Sequence, residues 1–486
     1  MAQKVSNIKN KVVGGLAWVF GERILAQLVS MIVTIILARL LTPEHYGMIS
    51  LVTVFITFLN VFVTSGFGSA LVQKKDADML DFDTAFLLSF GLSLALYAVL
   101  FLVAPYISRF YEMPLLSPVL RVMGLRLPLA SINTIQRAYV QREMNFKKFF
   151  WVTVGGTIIS GVVGIAMAYT GFGVWALVAQ YLSNTLISTF FLFSVCTWRP
   201  QLRFSLEKMK QIWSFGWKLL VTQLVATLES DIRSLIVGKV FGSADLAYYD
   251  QGKKYPALLV TNINSSIDSV MLSAYSKEQD DKQRVLSMLR RSVRVGIYIL
   301  TPILLGFAAV SNVFVSVILT DKWMPAVPFM QVFCLAFLTR PLESSCRQAL
   351  LSIGKSVANL IAIVVINVTA LVGVFISVFM FKSVFAIALF SLLTTLTSLV
   401  CFLSFANYHL GYKLKMQLRD FLPSLASGLV MFAAVWVVGK LQINSLILLI
   451  IQVIVGAIVY LGVSVAFKLE PFCYVWRMFK GICKRN

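Results

Sequence analysis

Ala38-Arg39-Leu40-Leu41-Thr42-Pro43-Glu44-His45-Tyr46-Gly47 closes one apolar run and opens the next, and Gly238-Lys239-Val240-Phe241-Gly242-Ser243-Ala244-Asp245-Leu246-Ala247 does the same 200 residues later. In each stretch a long apolar span stops at a basic residue, Arg39 or Lys239. A short turn carrying one acid, Glu44 or Asp245, then leads into another span. At the same offset, Gly15 to Trp18 answers Phe215 to Lys218, with Gly and Trp in the Gly216-Trp217 pair. Identity between the copies is low, but the shared order of charge and turn is what an internal repeat of helical spans leaves in a sequence.

Outward from these turns the chain is apolar almost throughout. Of 486 residues, 58% are hydrophobic and 13% charged, against about 45–50% and about 25% in soluble domains. Mean hydropathy is +0.83. This composition excludes a water-soluble enzyme, a disordered chain and a disulfide scaffold. Crossing ~30 Å of hydrocarbon takes roughly 20 helical residues, because no water is present to satisfy exposed backbone groups. Fourteen such spans are expected, near 13–37, 46–68, 84–107, 118–140, 150–170, 172–197, 214–238, 246–272, 295–319, 326–352, 357–381, 383–407, 420–439 and 445–467. The reading is an all-α integral membrane protein built of two six-helix repeats plus two C-terminal helices. Residues 1–200 form the N-terminal lobe, 201–412 the C-terminal lobe, and 413–486 two additional spans with a basic cytoplasmic tail. Two lobes in the same orientation, related by an axis along the membrane normal, are a transporter plan with its substrate cavity at the repeat interface near the midplane.

The net charge of +22 would suggest nucleic acid in a soluble protein. Its distribution says otherwise. With the N-terminus inside, the cytoplasmic segments hold 27 Lys and Arg and the opposite side six, Arg39, Arg109, Lys239, Lys322, Lys382 and Lys440. Cytoplasmic loops retain basic residues, so both termini are expected in the cytoplasm and nucleic acid falls away as a partner. Lys4, Lys9 and Lys11 before an apolar run resemble a signal peptide, but the run is too long, contains Glu22 and Arg23 and lacks a small-residue cleavage site. It reads as a retained first span.

Ionisable residues at membrane depth are costly and mark function. Several fall at i, i+3, i+4, i+7 or i+11, on one helix face. Span one carries Arg23, Gln27, Ser30 and Thr34; span two carries Thr53, Thr57, Asn60 and Thr64. Span four carries Arg126, Asn133 and Arg137; span ten carries Arg340, Glu343 and Arg347. Arg23, Arg126, Arg137, Arg340 and Arg347 are the expected substrate-binding residues of one cationic cavity between the lobes. Gln27, Thr57, Asn60, Asn133 and Glu343 are its expected polar lining. Bases outnumber acids on these stripes, and an excess of buried cations calls for an anion, pyrophosphate or an acidic sugar, which arginine grips bidentately. Pro341 is expected to bend span ten. Asp231 and Asp268 are the candidate ion-coupling acids, since burial lets a carboxyl bind and release a proton.

Other motifs carry no chemistry. Asp76-Ala77-Asp78 and Asp81-Phe82-Asp83 give a DxD pattern, but no domain surrounds it and it reads as a solvated acidic loop. There is no GxxxxGK[ST] phosphate loop. Six scattered cysteines and two distant histidines give no metal site or triad. No cofactor, metal or catalytic residue is expected. Arg199 to Lys210 reads as an amphipathic interfacial linker between the halves.

The stretch Leu37 to Gly47, followed by Gly66-Phe67-Gly68-Ser69-Ala70-Leu71-Val72-Gln73-Lys74-Lys75, resembles the N-terminal signature of the polysaccharide transporter branch of the MOP exporter superfamily. Within it the likeness is to the colanic and teichuronic acid exporters, relatives of the Wzx O-antigen flippases. It weakens through the second half and reaches about residue 410. The resemblance implies MATE-like lobes and a bacterial inner-membrane flippase. Its cargo would be an undecaprenyl-diphosphate-linked oligosaccharide, moved by alternating access. Membrane lipids and a polysaccharide polymerase or assembly proteins would be its partners. A lipid-linked peptidoglycan precursor flippase or a multidrug exporter shares that fold. A membrane-embedded polymerase or glycosyltransferase would need a larger domain at a membrane face than this chain has.

Overall fold

A computed structural model describes residues 21, 22, 24–64, 66–74, 76–142 and 146–474. Arg23, the basic N-terminal residues, the Gly15 to Trp18 element of the repeat and the end of the basic tail lie outside them. The described residues form helices without a strand. In order these are α1 (Ile24–Leu40), α2 (Pro43–Thr64), α3 (Phe67–Gln73), α4 (Met79–Tyr111), α5 (Leu116–Gly124), α6 (Arg126–Arg142), α7 (Phe146–Tyr169), α8 (Val174–Val195) and α9 (Leu206–Val240). There follow α10 (Ser243–Lys277), α11 (Lys282–Phe314), α12 (Val327–Phe337), α13 (Arg340–Ser352), α14 (Ser356–Ile376), α15 (Val384–Leu410), α16 (Leu414–Val438) and α17 (Ser445–Ala466). The chain divides into two compact units, Met1–Ala247 and Tyr248–Asn486.

Ten of these segments are long and apolar enough to cross a membrane. The remaining expected spans correspond to α1, the α5–α6 pair, α9 and α10; α1 is short and carries its one charge, Arg39, in the last turn, while the others carry charge within the helix. The outer surface identifies its solvent. On α17 the buried face is Gln452, Gly456, Tyr460 and Ser464, while Val453 at 59% and Ile458 at 65% exposure point outward. Polar and small residues inside with apolar residues outside invert a soluble helix, and suit one packed against its neighbours in lipid. The inward side chains bond to neighbouring helices: Tyr298 Oη donates to Ser464 Oγ at 3.0 Å, Tyr460 Oη to the Tyr298 carbonyl at 2.8 Å, and Gln452 Nε2 to the Val435 carbonyl at 3.2 Å. The protein is a multi-pass membrane protein.

Both opening stretches fold alike. α1 ends at Leu40 and α2 begins at Pro43; α9 ends at Val240 and α10 begins at Ser243. The two turns meet within the first unit. A Cβ on Gly47 would lie 1.7 Å from the Ser243 carbonyl oxygen, and one on Gly238 would lie 2.5 Å from Leu51 Cδ2. Only glycine allows the first of these approaches, since backbone cannot yield as a side chain can. Gly47→Ala is therefore expected to cost about 1–3 kcal/mol by overpacking, read as a lower melting temperature of the purified protein. Ser50→Ala, on the next turn of the same helix, serves as the control and should move it little.

The DxD region departs from the expected solvated loop. Asp81 and Asp83 are 0% and 1% exposed. Asp78 caps α4: its side chain accepts from the Asp81 N–H and the Asp81 carboxylate accepts from the Asp78 N–H, a reciprocal capping box. Lys74 lies 2.6 Å from Asp81, and Lys208 lies 3.2 Å from Asp81 and 3.0 Å from Asp78. The Asp81 N–H, then the Lys208 ammonium, hold the Asp78 carboxyl below the usual aspartate range. Asp83 accepts from Trp198 Nε1 and the Gln201 N–H, both at 3.2 Å. The acids thus tie the segment between α8 and α9 onto the start of α4. On that segment Leu202 is 90% exposed and Phe204 is exposed too, as is Leu206 at the start of α9.

In the second unit α11, α13 and α15 share a core of Val285, Leu289, Val293, Ile297, Leu342, Cys346, Ala349 and Phe402. Span ten is broken rather than bent. Its first helix stops at Phe337 and α13 restarts at Arg340, with Pro341 in the first turn, where its missing N–H costs nothing.

Candidate cationic chamber

Span four breaks in the same way. α5 ends at Gly124, α6 starts at Arg126, and Pro128 sits in its first turn. Arg126 is thereby placed at a helix N-terminus, where exposed N–H groups add positive potential to the guanidinium. Eleven residues further on, three turns or roughly 16 Å along the axis, Arg137 lies on the same face.

Both line one chamber of about 310 Å³ together with Thr57, Asn60 and Thr64 of α2, Asn133 and Thr134 of α6, and Asn184, Thr185 and Ser188 of α8. Arg126 Nε donates to Thr185 Oγ1 at 3.2 Å, and its guanidinium lies 5.2 Å from the centre of the Tyr181 ring. Arg137 lies 5.8 Å from the centre of the Phe149 ring. Among the described residues neither arginine has an ion-pair partner within 4 Å. The side-chain oxygens of Asn60 and Asn133 are buried without a hydrogen-bond partner. Glu22 is the carboxylate that Arg137 feels, beyond ion-pair distance; two cations inside a membrane span against one such acid leave an excess of positive charge that favours an anion.

A second chamber of about 500 Å³ adjoins the first, sharing Arg126 and Asn184. It is lined by Glu22, Gln27 and Ser30 of the first span, Thr153, Thr157 and Ser160 of α7, and Gln180 and Tyr181 of α8. Glu22 Oε1 accepts from Thr153 Oγ1 at 2.6 Å, and Asn184 Nδ2 donates to Ser160 Oγ at 3.2 Å. α7 and α8 can approach because Gly164 faces Gln180, where a Cβ would be 2.8 Å away.

The structure thus brings Arg126, Arg137, Thr57, Asn60 and Asn133 to one chamber, with Gln27 beside it. Arg23 lies outside the described residues. Arg340, Glu343 and Arg347 belong to the second unit. Arg340 is exposed and 5.5 Å from the centre of the Phe337 ring; Arg347 is 5.7 Å from the centre of the Phe402 ring, and its buried Nε has no hydrogen-bond partner. Glu343 is 4% exposed and accepts from Thr339 Oγ1 at 2.6 Å and Ser398 Oγ at 2.8 Å. Asp268 accepts from Ser344 Oγ. Asp231 lies in an otherwise largely apolar groove of about 320 Å³ with Phe55, Phe58, Val103, Leu228 and Leu235. The polar residues of α7 and α8 escaped the sequence reading because their spans carry no charge, although Thr153-Thr157-Ser160 and Gln180-Asn184-Ser188 have helical spacing.

The family described as polysaccharide biosynthesis protein matches residues 36–328. The chain is 23% identical to the teichuronic acid biosynthesis protein TuaB of Bacillus subtilis (strain 168) over 94% of this chain and 95% of that one. It is 23% identical to the succinoglycan biosynthesis transport protein ExoT of Rhizobium meliloti (strain 1021), covering 62% of this chain and 61% of ExoT's length. In fold it resembles the lipid II flippase MurJ in an inward closed conformation, with a TM-score of 0.74 at 14% identity, over 94% of this chain and 98% of that one.

Proposed function

The chain belongs to the polysaccharide biosynthesis protein family, and we propose that it is a flippase, moving an undecaprenyl-diphosphate-linked oligosaccharide across the bacterial inner membrane for surface polysaccharide synthesis. It acts as a transport protein, by alternating access, and not as an enzyme. The observation that carries this reading is the chamber in which Arg126 and Arg137 stand, among the described residues, without a carboxylate at ion-pair distance, a site that a diphosphate completes. The transport role named for ExoT and the MurJ-like fold support it. Depleting the protein from its host tests the cargo: an oligosaccharide-bearing lipid diphosphate should accumulate on the cytoplasmic face. Accumulation of a peptidoglycan precursor instead would reassign it.

In this reading fourteen spans place both termini in the cytoplasm, with membrane lipids around them and a polymerase or assembly proteins receiving the product outside. Single cysteines at Lys322 and Arg284, in a version otherwise free of cysteine, should label from opposite sides; labelling of both from outside would refute the topology.

Net export without a nucleotide site draws on an ion gradient or on removal of product, and an ion couples only if it biases the same conformational equilibrium as the substrate. Asp268 and Asp231 are the proposed coupling acids. Asp268→Asn or Asp231→Asn should leave substrate binding measurable while abolishing its dependence on pH or sodium. Unchanged gradient dependence of transport in both variants excludes these acids.

A further inference from the structure

The two adjoining chambers of the first unit differ in chemistry. The smaller holds both arginines; the larger holds hydroxyls, carboxamides and one carboxylate, Glu22. We propose that the larger chamber, formed by Glu22, Gln27, Ser30, Thr153, Gln180 and Asn184, holds the sugar next to the diphosphate and selects one without a negative charge. The proposal rests on the flippase reading above and says which carbohydrates that site admits.

A sugar presents hydroxyl donors and acceptors in every direction, and the lining answers both. Gln27, Gln180 and Asn184 offer amide donors and acceptors, Ser30 and Thr153 offer hydroxyls, and the Glu22 carboxylate accepts only. The volume, about 500 Å³, lies in the range of small-molecule sites, about 300–1,000 Å³. Arg126 and Asn184 stand where the chambers meet, so a phosphoryl group on Arg126 leaves the attached sugar beside Glu22. With Arg126 taken by phosphate, a uronic acid or a pyruvylated sugar would bring a second carboxylate against Glu22 inside a chamber whose remaining lining is neutral. Like charges facing one another at a binding site are a strong element of rejection. An excess of cations alone would accept pyrophosphate or an acidic sugar equally. The position of Glu22 assigns the anionic role to the diphosphate.

Binding to the purified full-length protein in lipid nanodiscs tests this, with two probes differing in one group: a short-chain prenyl diphosphate bearing N-acetylglucosamine, and one bearing glucuronic acid. The wild type should prefer the neutral probe by roughly tenfold. That ratio should fall towards one in Glu22→Gln and widen in Gln27→Glu, which adds a second acid and decides the matter should the first variant fail to fold. Equal affinity for the two probes in the wild type, or a ratio that neither substitution moves, overturns the proposal. Arg126→Ala separates the two readings. If it loses both probes while the ratio stays insensitive to Glu22, the flippase chamber stands and the sugar selection falls; if it binds both as the wild type does, the chamber itself is misassigned.

Discussion

Replacing Arg126 by alanine should lower affinity for a lipid-linked diphosphate by on the order of a hundredfold, the loss that follows when one partner of a desolvated charge pair is removed. The same substitution should leave the melting temperature unchanged or raise it. Arg126 has a hydroxyl and an aromatic ring as neighbours but no carboxylate within ion-pair distance among the described residues, so the unliganded protein holds a half-buried charge without compensation. A residue whose removal costs binding and not stability is placed for the ligand. Arg126→Lys should recover only part of the affinity, because an ammonium cannot reproduce the planar fork that meets two phosphate oxygens at once. Ligand titration and thermal unfolding of the three proteins check all of this. A stability loss in the alanine variant with affinity intact would mark Arg126 as structural.

Asp420→Ala is expected to act in the opposite sense, destabilising the second unit by about 3–5 kcal/mol, as breaking a buried ion pair does. Asp420 is 3% exposed and meets two arginines of α11: Arg290 bidentately, with Nε and Nη2 at 2.8 and 2.9 Å, and Arg294 through Nε at 2.8 Å. Tyr412 Oη donates to it at 3.1 Å. Arg294 also pairs with the exposed Glu470, beyond α17. About a quarter of each arginine side chain is exposed. Without the carboxylate, Arg290 loses the partner that holds both its nitrogens, Arg294 keeps only Glu470, and α16 loses its electrostatic tie to α11. Thermal unfolding in detergent measures the effect; a melting temperature within experimental error of the wild type would show that the arginines find equivalent partners elsewhere.

These two residues also mark how far the sequence could be read. Arg126 announced itself because an arginine inside an apolar run at helical spacing from Asn133 and Arg137 has few roles available. The break that lifts it to the start of α6 was not evident, since Pro128 lies two residues inside the new helix, whereas Pro341 beside Arg340 marked an expected bend where span ten is in fact broken. Asp420, next to Arg419 at the very start of the span expected over 420–439, drew no attention in the sequence. Its burial depends on α11, some 130 residues earlier in the chain, and such pairing leaves no local periodicity. The acids after α3 were misjudged for the same reason: Lys208 and Trp198, which bury them, are more than a hundred residues away. Spans five and six showed no charge, so the hydroxyl and amide faces that complete the larger chamber passed as ordinary helix packing. The paired turns at Arg39 and Lys239 carried the architecture because a helix end, a two-residue turn and a helix start are all local in sequence.

Transport itself gives the most direct test. Full-length protein reconstituted into vesicles, with a fluorescent oligosaccharide on a prenyl diphosphate in one leaflet, should move the probe to the other leaflet well above the rate in protein-free vesicles. Arg126→Ala at equal protein density should reduce that movement to near the protein-free rate. Movement by the alanine variant at the wild-type rate, or none above background by the wild type under any imposed proton or sodium gradient, would contradict a diphosphate-linked cargo carried through the Arg126 chamber.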